Sequence, residues 1–501
     1  MNKKQKEKRK FSILPETTSA AIAMLAVLLI EVFFLMFILR LNILPGNYLI
    51  ILFAVIIGVD AIIFKLLNCR KKKTNQRIAG IIISILLINI LTVGCYYLYS
   101  TFDTLLKISE QKNQTEQYHV VTLDNGTYTQ ISDIAGEDVY VVKMESKMYD
   151  EAKEKLITEV QVNYKEEKDV ISVSDRLVNA KGKTSDNIIY VSNANYEMIC
   201  EEKEDFKDNT KILYSVAVEI KSDDDASNVN VTEDPFNVYI SGIDVWGDID
   251  QVSRSDVNMI MTVNPKTREI LLTSIPRDSY VELHSFGAKD KLTHSGIYGV
   301  DETIKTVEDW MGIDIDYYVR ANFSMVTRLV DAIGGIDIVS EYAFKSKVSE
   351  YTYEVGENHL DGKAALYFAR ERKAFKESDE QRIKNQQIVL EAILKKITQS
   401  KVILTRYTSL LEAVEGKMQT NLTDKEIYSL VKMQLKDMTA WKIKTVSIDG
   451  SGAMGPTYSM GSRELFVSIP KQESVDAAVQ KMHNVMYPVE DANDKDQFLL
   501  K

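Results

Sequence analysis

Residues 257–275 read VNMIMTVNPKTREILLTSI. Two runs of apolar and β-branched residues flank the short segment 264–267, which contains a proline, and this pattern predicts a β-hairpin. In an antiparallel hairpin, residues equally distant from the turn meet at the same end. Asp256 precedes the centre of the turn by ten residues and Arg277 follows it by eleven, so both are expected at one end. Arg254 joins them if the first strand extends that far, because alternate residues of a strand share a face.

A second group of charged residues lies in YFARERKAFKESDEQRIKNQQ, residues 367–387. Arg370 and Arg372 are two positions apart, which places them on one face of a segment that the preceding apolar run predicts to be extended. A long helix is predicted over residues 378–398. Three of its polar residues have the spacing i, i+3 and i+7, which places them on one face: Asp379, Arg382 and Gln386. A chain that turns from strand to helix here could aim both sets into one cleft.

Clustered arginines indicate a multiply charged oxyanion as ligand, because guanidinium is planar, permanently protonated and binds phosphate through forked hydrogen bonds. Carboxylates among them need another role. Asp244 and Asp256 are suited to hold Mg²⁺, which takes one or two carboxylates together with phosphate oxygens. Such a set over a pyrophosphate matches the logic of phosphoryl transfer. The other interpretation is a surface network of Arg–Asp pairs worth about 0–1 kcal/mol each, and the spacing alone leaves both open.

Strand and helix patterns alternate through the rest of this half of the chain. Helix patterns cover residues 300–310 and 323–333, and a strand pattern lies between them around 313–319. The Gly-Gly pair at 334–335 supplies left-handed residues that end a helix. The alternation predicts an α/β domain over residues 236–490, the C-terminal domain, in which a mixed central sheet is sandwiched by helices.

Residues 100–221, the accessory domain, are polar and mixed in pattern. A helix pattern covers 143–157, and strand patterns cover 188–191 and 212–220. They predict a small α+β domain, in which we find no catalytic constellation. The segment 222–235 is acidic, turn-rich and poor in core-forming residues, which predicts a linker.

Three apolar runs precede the accessory domain. Each has roughly the ~20 residues that cross a ~30 Å hydrocarbon core. The predicted transmembrane helices are residues 18–39, 48–67 and 78–99. Basic residues are concentrated in the tail 1–17 and the connection 69–77, whereas the connection 42–47 has none. Because positive segments stay cytoplasmic, we expect a multi-pass cell-membrane protein with its N-terminus inside and a large extracellular C-terminal part.

Composition narrows the classes of partner and site. A net charge of −11 argues against a nucleic-acid partner, because polyanionic phosphate needs a basic surface. Three cysteines are too few for a disulfide framework, and Cys200 is interpreted as an unpaired, buried thiol. The motifs include no Walker loop, zinc signature or serine triad. His294 lies near the predicted cleft, where we expect it to pack or hydrogen-bond rather than catalyse.

In these residues the chain resembles the LytR–CpsA–Psr (LCP) family, and most closely its capsule-type members with three membrane spans and an extra outer domain. The resemblance covers about residues 244–387, and its specificity comes from the order of several motifs. They are SGID ending at Asp244, SRSDVNMIMTVNP (253–265), SIPRDSYVEL (274–283), KDKLTHSG (289–296), LVDAIGGIDI (329–338), HLDGKAALYFARERK (359–373) and DEQRIKNQQ (379–387). For the accessory domain the resemblance rests on domain arrangement only.

The resemblance implies a phosphotransferase that moves a capsular or related glycopolymer from a polyprenyl-pyrophosphate carrier onto peptidoglycan, at the outer face of the membrane of Gram-positive bacteria. It implies Mg²⁺, with Mn²⁺ as a second option, on Asp244 and Asp256. The residues implied to bind the substrate are Arg254, Arg277, Arg370, Arg372, Arg382 and Gln386. The residues implied to serve catalysis are Arg277, Arg370, Arg372, Arg382 and Asp379, with Asp379 orienting an arginine. Capsule-synthesis membrane proteins are candidate partners.

Three further points stay open in the sequence. The apolar faces of the helices at 300–310 and 323–333 are candidates to line a tunnel for the polyprenyl tail, although core packing explains most of such faces. A non-catalytic sensor of lipid-linked sugars that regulates capsule synthesis, or a lipid pyrophosphatase, would use the same residues. Two positions depart from the family pattern: Asn385 stands where members often have a basic residue, and Asn258 where they often have a small hydroxyl residue.

Overall fold

The computed structural model describes most of the chain. The described residues are 15, 17–42, 44–68, 74–110, 113–125, 127–143, 146–179, 187–220, 227, 229–243, 249–376, 378–399 and 402–488. Asp244, Cys69 and residues 222–226 and 228 of the predicted linker 222–235 lie outside them.

Helices and strands alternate along most of the described chain. The α-helices are α1 (Thr18–Leu41), α2 (Gly46–Leu67), α3 (Thr74–Glu110), α4 (Lys147–Glu159), α5 (Val170–Asn179), α6 (Asn193–Glu202), α7 (Phe206–Asn209), α8 (Leu292–Ser295), α9 (Val300–Met311), α10 (Phe323–Ala332), α11 (Gly362–Arg370), α12 (Ser378–Gln399), α13 (Val402–Thr405), α14 (Tyr407–Val414), α15 (Asp424–Asp437) and α16 (Gln472–Met486). The strands are β1 (Gln114–Leu123), β2 (Asp138–Val142), β3 (Asn163–Glu167), β4 (Ile188–Ser192), β5 (Thr210–Ile220), β6 (Phe236–Ile243), β7 (Ser255–Asn264), β8 (Glu269–Ile275), β9 (Tyr280–Glu282), β10 (Lys289–Lys291), β11 (Tyr317–Asn322), β12 (Ile336–Ser340), β13 (Phe344–Lys345), β14 (Thr352–Tyr353), β15 (Gly356–Leu360), β16 (Met418–Thr420), β17 (Lys442–Ser447), β18 (Gly450–Thr457) and β19 (Gly461–Pro470).

The chain separates into two compact units. One comprises Met1–Leu106 with Asp424–Met438, and the other comprises Lys107–Thr423 with Thr439–Lys501. The first unit contains the membrane helices together with α15, and the second contains the accessory domain and the rest of the C-terminal domain.

Among the described residues, three helices are long and apolar enough to cross a membrane. Helices α1 and α2 have 24 and 22 residues, which at ~1.5 Å per residue is enough for a ~30 Å hydrocarbon core. The third apolar stretch, Thr74–Ile108, continues past residue 99, the predicted end of that span. Val32, Ile50 and Tyr96 are each more than 60% exposed, an arrangement that is stable against lipid and costly in water. The protein is therefore a membrane protein with a large C-terminal part.

The accessory domain contains a mixed sheet with helices on both faces. Its strand order in the described chain is β3-β2-β4-β1-β5, where β1 runs antiparallel to both neighbours and β2 parallel to both of its own. Tyr149 and Leu156 of α4 are buried in one core. Val173 of α5 and Ile199 of α6 are buried in a second core. The predicted strands at 188–191 and 212–220 are confirmed as β4 and β5.

The C-terminal domain is built on a larger mixed sheet, with the order β16-β11-β6-β7-β8-β17 in the described residues. Strands β7 and β8 are antiparallel and pair from Asn264 with Glu269 to Asn258 with Ile275, which confirms the predicted hairpin. Strand β6 runs antiparallel to β7 and parallel to β11, and β17 runs parallel to β8. The hairpin is therefore the centre of the domain.

Helices cover this sheet and produce the predicted sandwich. Val307 of α9 and Met482 of α16 share a core with Tyr239 and Leu271 of the sheet. Helix α12 packs on β8 and β17, and Gln387 Nε2 donates a hydrogen bond to the Val446 carbonyl at 2.8 Å. Helices α10, α11 and α12 share a further core with β12 and β15.

Two local predictions need correction. The apolar run before Arg370 is helix α11 rather than an extended segment, because the Asp361 carboxylate accepts a hydrogen bond from Ala364 N at 2.8 Å and caps the helix. Its buried side chains then have helical spacing. The strand predicted around 313–319 starts later, at Tyr317, and pairs with β6 through Asn322. The Gly-Gly helix stop is confirmed, since Gly334 and Gly335 both have φ above +80°.

Candidate active site

Asp256 lies where β7 leaves its regular pairing with β6. Gly242 pairs with Val257 and Ile243 with Ser255, so Asp256 is the extra residue of a β-bulge. The two strands approach closely here, because a Cβ on Gly242 would lie 2.7 Å from the Val257 Cβ. Bulges near sites of function redirect a side chain that regular pairing would place elsewhere.

The Asp256 carboxylate is the centre of a buried ion cluster. Arg277 Nη1 donates to its two oxygens at 2.9 and 3.1 Å, and Arg382 Nη2 donates to Oδ2 at 2.9 Å. Burial alone would raise the pKa of Asp256, but the guanidinium charges of Arg277 and Arg382 outweigh burial and hold this pKa at about 2. The hairpin prediction that Asp256 and Arg277 meet at one end is confirmed by this contact.

Both arginines of the cluster retain a buried donor. In the described part of the chain, the Nε–H groups of Arg277 and Arg382 are buried and have no hydrogen-bond acceptor. An unsatisfied buried donor costs about 1–3 kcal/mol, more when it is charged. Arg277 Nε lies 3.7 Å from Asp278 Oδ2, beyond hydrogen-bond distance, so the described residues leave the hydrogen-bonding capacity of both donors unused.

A buried acid fixes the loop that carries two further arginines. Arg370 is the last residue of α11, and Arg372 follows the helix cap at Glu371. Glu371 is completely buried and accepts hydrogen bonds from Lys347 N at 2.7 Å and Ala374 N at 3.1 Å. These bonds fix the chain just after α11, so Arg370 and Arg372 can line the same cleft although neither lies on a strand.

The predicted helix face of α12 meets this loop. Asp379 Oδ1 lies 3.7 Å from Arg372 Nη1, in an ion pair whose two side chains are each about 40% exposed. The Arg370 guanidinium lies over the Phe323 ring, 4.1 Å from its centroid, a cation–π arrangement. Asp379 is thus placed to orient Arg372, as the resemblance implies, although its role stays a prediction.

The accessory domain contributes a carboxylate that the sequence did not indicate. Glu201, on α6, accepts hydrogen bonds from Arg254 Nη1 at 2.7 Å and from Nη2 at 2.5 Å. Burial alone would lower the pKa of Arg254, but the hydrogen bonds and charge of Glu201 outweigh it and raise this pKa. Arg254 is thereby held beside Asp256, whose charge also raises this pKa, whereas the charge of Arg277 lowers it.

These residues line one cleft, the arginine cleft, with a volume of about 660 Å³. Its described lining includes seven Lys and Arg against four Asp and Glu, a net charge of +3 that suits an anionic ligand. The predicted site residues on its wall are Arg254, Asp256, Arg277, Arg370, Arg372 and Arg382.

A neighbouring cavity, the polar groove, has a volume of about 490 Å³. It shares Asp256, Arg277 and Arg382 with the arginine cleft, and the predicted residues Asp379 and Gln386 lie on its wall. All three residues of the predicted helix face, Asp379, Arg382 and Gln386, therefore line this groove, and Arg382 lines the arginine cleft as well.

Three residues of the motif KDKLTHSG line the cleft: Lys291, Thr293 and His294. Lys291 Nζ lies 3.0 Å from Asp278 Oδ1. His294 is buried, and its Nδ1 lies 2.7 Å from Asp290 Oδ1 and 2.8 Å from Ser459 Oγ. His294 thus has the hydrogen-bonding role that we expected. Lys291 and Asp278 are cleft residues that spacing arguments missed, although both lie within the quoted motifs.

The donor set fits a magnesium ion only in part. Asp256 is ionised at neutral pH and lies on the cleft wall, and Mg²⁺ typically takes one or two carboxylates with phosphate oxygens. Asp244 directly follows β6, whose last residue pairs with Ser255, but Asp244 itself is outside the described residues. Its part in a metal site stays a prediction.

The two departures from the family pattern have structural roles. Asn385 is buried, where it donates to the Phe368 carbonyl at 3.1 Å and accepts from Gln381 Nε2 at 3.0 Å. It therefore ties α12 to α11. Asn258 donates to the Ser255 carbonyl at 2.9 Å, beside the bulge at Asp256. Neither side chain is part of the ion cluster.

The chain is similar to several characterised proteins. It is 32% identical over 228 residues to the polyisoprenyl-teichoic acid–peptidoglycan teichoic acid transferase TagU of Bacillus mycoides, covering 44% of this chain and 73% of that protein. The protein of the same name from Halalkalibacterium halodurans is 38% identical over 192 residues, covering 38% and 62%.

Solved structures of similar proteins cover about half of the chain. The crystal structure of B. subtilis TagV matches with a TM-score of 0.43 and 28% identity, covering 51% of this chain and 98% of that one. A structure of TagT bound to LI-WTA matches with a TM-score of 0.42 and 26% identity, covering 53% and 96%.

The match to a family profile is more extensive. The LytR_cpsA_psr family matches residues 188–480, which is more than half of the chain and begins within the accessory domain. The motifs quoted from the sequence all lie inside this range. The chain therefore belongs to the LytR_cpsA_psr family.

Proposed function

We propose that this protein is a transferase that moves a glycopolymer from a polyprenyl-pyrophosphate carrier onto peptidoglycan. The observation that carries the proposal is the Asp256–Arg277–Arg382 cluster, which lies on the wall of a cleft of net positive charge. The names of the relatives, which are teichoic acid transferases acting between a polyisoprenyl carrier and peptidoglycan, support this substrate class.

The arginines would act by positioning the pyrophosphate and by stabilising charge. A hydroxyl of the acceptor glycan attacks the sugar-linked phosphorus, and a new oxygen–phosphorus bond forms. The bond from that phosphorus to the bridging oxygen breaks, polyprenyl phosphate leaves, and the hydroxyl proton passes to a base. Preorganised donors stabilise the charge that develops on the phosphoryl oxygens, an effect worth about 10²–10³ in rate per donor in other enzymes.

Asp256 and Asp244 would hold Mg²⁺, or Mn²⁺, against the pyrophosphate. The ion would supply Lewis-acid neutralisation of phosphate charge. Asp379 would keep Arg372 oriented toward the substrate, because their charged groups lie 3.7 Å apart. Gln386 would bind beside the arginines from the polar groove.

The lipid tail needs an apolar surface. The apolar faces of α9 and α10 were candidates, but Val307 and Met311 of α9, and Leu329 and Val330 of α10, are buried in cores. Core packing thus explains these side chains. The path of the tail stays a proposal, to be located by crosslinking from a photoreactive polyprenyl carrier.

The active domain would lie outside the cell, where peptidoglycan is assembled. The basic tail and the basic second connection support this orientation by the positive-inside rule. Membrane-impermeant thiol labelling of intact cells, with a cysteine introduced at exposed Glu197 and the native cysteines replaced, tests it. Absence of labelling until the membrane is permeabilised would contradict the orientation. Interaction with capsule-synthesis membrane proteins is a further proposal, testable by crosslinking in cells.

The transfer reaction is tested with purified protein in detergent, a lipid-linked oligosaccharide and a peptidoglycan acceptor. We expect Arg370→Ala and Arg372→Ala each to lower the transfer rate by about 100-fold. Arg328→Ala is the matched control, because Arg328 is an exposed arginine of α10 outside the described lining of both cavities. Transfer at the unmodified rate by either cleft variant would refute the assignment.

Phosphorus NMR of the products separates this function from the alternatives. Transfer yields a phosphodiester only when acceptor is present. A lipid pyrophosphatase yields a sugar phosphate without acceptor, and a sensor of lipid-linked sugars yields no product while still binding the lipid.

A further inference from the structure

The hairpin β18–β19 exposes apolar side chains next to the active site. Met454 pairs with Phe466 across the two strands, and these side chains are 60% and 50% exposed. Exposed large apolar side chains beside a cavity commonly mark a ligand surface. Of this pair, only Phe466 belongs to the described lining of the two cavities, and it lies on the wall of both.

The Phe466 ring is held in place by the strand opposite. A Cβ on Gly452 would lie 2.9 Å from a Phe466 ring atom. The ring therefore packs across the bare backbone of Gly452, in the diagonal position where cross-strand side chains meet. An aromatic ring that is fixed in this way and still half exposed offers a rigid apolar surface to a ligand.

The polar groove differs from the arginine cleft in charge. Its described lining includes four Lys and Arg against five Asp and Glu, a net charge of −1, whereas the cleft has +3. A groove of this charge is a poor second site for a pyrophosphate. The groove wall offers hydrogen-bond donors and acceptors, such as Gln386, Asp449 and Lys471. They suit a neutral ligand with many hydroxyl and amide groups.

A pyranose ring has these properties. Its axial C–H groups form an apolar face, and its hydroxyls project at the edge, so it needs an aromatic surface and hydrogen-bonding partners around it. We propose that the polar groove is a saccharide subsite and that Phe466 is its stacking platform. This inference rests on the proposed function, since it assigns the groove to a glycan that meets the pyrophosphate at Arg277 and Arg382.

Two sources of saccharide have this chemistry: the donor polymer next to its pyrophosphate, and the peptidoglycan acceptor. The full-length protein in detergent is tested for binding of chitotetraose, a neutral oligosaccharide, and of inorganic pyrophosphate. We expect Phe466→Ala to weaken chitotetraose binding by about 5–10-fold, to leave pyrophosphate binding unchanged, and Phe466→Trp to retain saccharide affinity. Asp449→Ala should weaken chitotetraose binding by a few-fold.

Met454→Ala is the matched control, because Met454 is the exposed partner of Phe466 and is outside the described lining of the groove. Unchanged chitotetraose affinity in Phe466→Ala, or an equal loss in Met454→Ala, would overturn the proposal. Retained pyrophosphate binding shows that a variant is folded.

Steady-state kinetics show whether the donor or the acceptor supplies the saccharide that binds in the groove. A higher KM of Phe466→Ala for the acceptor glycan alone places the acceptor in the groove, and a higher KM for the lipid-linked donor alone places the donor there. Both results support the subsite, whereas unchanged KM values for both substrates overturn it. If the unmodified protein transfers nothing but still binds chitotetraose through Phe466, the subsite stands and the proposed function fails.

Discussion

The Glu201 carboxylate, on the accessory domain, forms a two-pronged ion pair with the Arg254 guanidinium in the arginine cleft, at 2.7 and 2.5 Å. The pair lowers the effective positive charge that Arg254 offers to a pyrophosphate. The accessory domain therefore takes part in the electrostatics of the site, beyond any role in folding.

Replacement of Glu201 by glutamine is expected to tighten pyrophosphate binding. The change raises the net charge of the described cleft lining by one, from +3 to +4, and frees the Arg254 donors. One extra positive charge at a partly exposed site is worth about 3–10-fold in affinity for pyrophosphate. Isothermal titration of inorganic pyrophosphate into the full-length protein at low salt measures it. Glu197→Gln, an exposed change on the same helix, should have no effect. Weaker binding in Glu201→Gln would show that Glu201 mainly positions Arg254.

Truncation of Asp256 to alanine is expected to destabilise the C-terminal domain. It leaves buried Arg382 and partly buried Arg277 without their shared counterion. Loss of one partner of a buried ion pair costs about 3–5 kcal/mol. Urea unfolding followed by tryptophan fluorescence measures the loss. Asp379→Ala, whose side chain is 41% exposed, should cost less than about 1 kcal/mol. Equal effects of both changes would contradict the buried cluster.

The Asp256 cluster should make stability depend on acid pH. The pKa of Asp256 is about 2 in the fold against an ordinary value of 3.8, so the folded state favours the ionised carboxylate. The stabilisation, about 2 kcal/mol, is complete above pH ~4 and is lost as the pH falls through ~2. The unfolding free energies of the unmodified protein and Asp256→Asn should therefore converge between pH 4 and 2. A constant difference over this range would contradict the depressed pKa.

Asp379 and Arg372 are expected to act as a unit in catalysis. If Asp379 works by orienting Arg372, the double variant Arg372→Ala/Asp379→Ala should transfer polymer at the rate of Arg372→Ala alone. The ion pair Glu391–Lys395 on the same helix serves as the control, and its double variant should keep the unmodified rate. Additive losses for Asp379 and Arg372 would assign Asp379 a separate role, such as accepting the hydroxyl proton.

Patterns of short range were enough to predict much of the architecture. The membrane helices follow from the length of apolar runs, and the hairpin from two strand patterns around a proline turn. The meeting of Asp256 and Arg277 also follows, because both residues belong to one hairpin and their positions are related by its register. The helical spacing of Asp379, Arg382 and Gln386 was likewise available from local periodicity.

Contacts between distant segments could not be obtained in this way. Arg382 reaches Asp256 across 126 residues, and Glu201 reaches Arg254 across 53 residues. Helix α11 was missed because a short apolar run fits a strand as well as a helix. The helix cap at Asp361 was the signal that could have decided between them. Family resemblance grouped the arginines, but it said nothing of the accessory domain at the site.

Residue identity and spacing thus specified the membrane spans, the central hairpin and the charged residues that a pyrophosphate needs. The packing of the accessory domain against the C-terminal domain brought Glu201 into the cleft, and the pairing of β18 with β19 placed Phe466 between two cavities of different charge. The physical reason is the distance along the sequence over which each effect acts. Hydrophobic periodicity and turn chemistry act over a few residues, whereas burial and ion pairing depend on which distant segments the fold brings together.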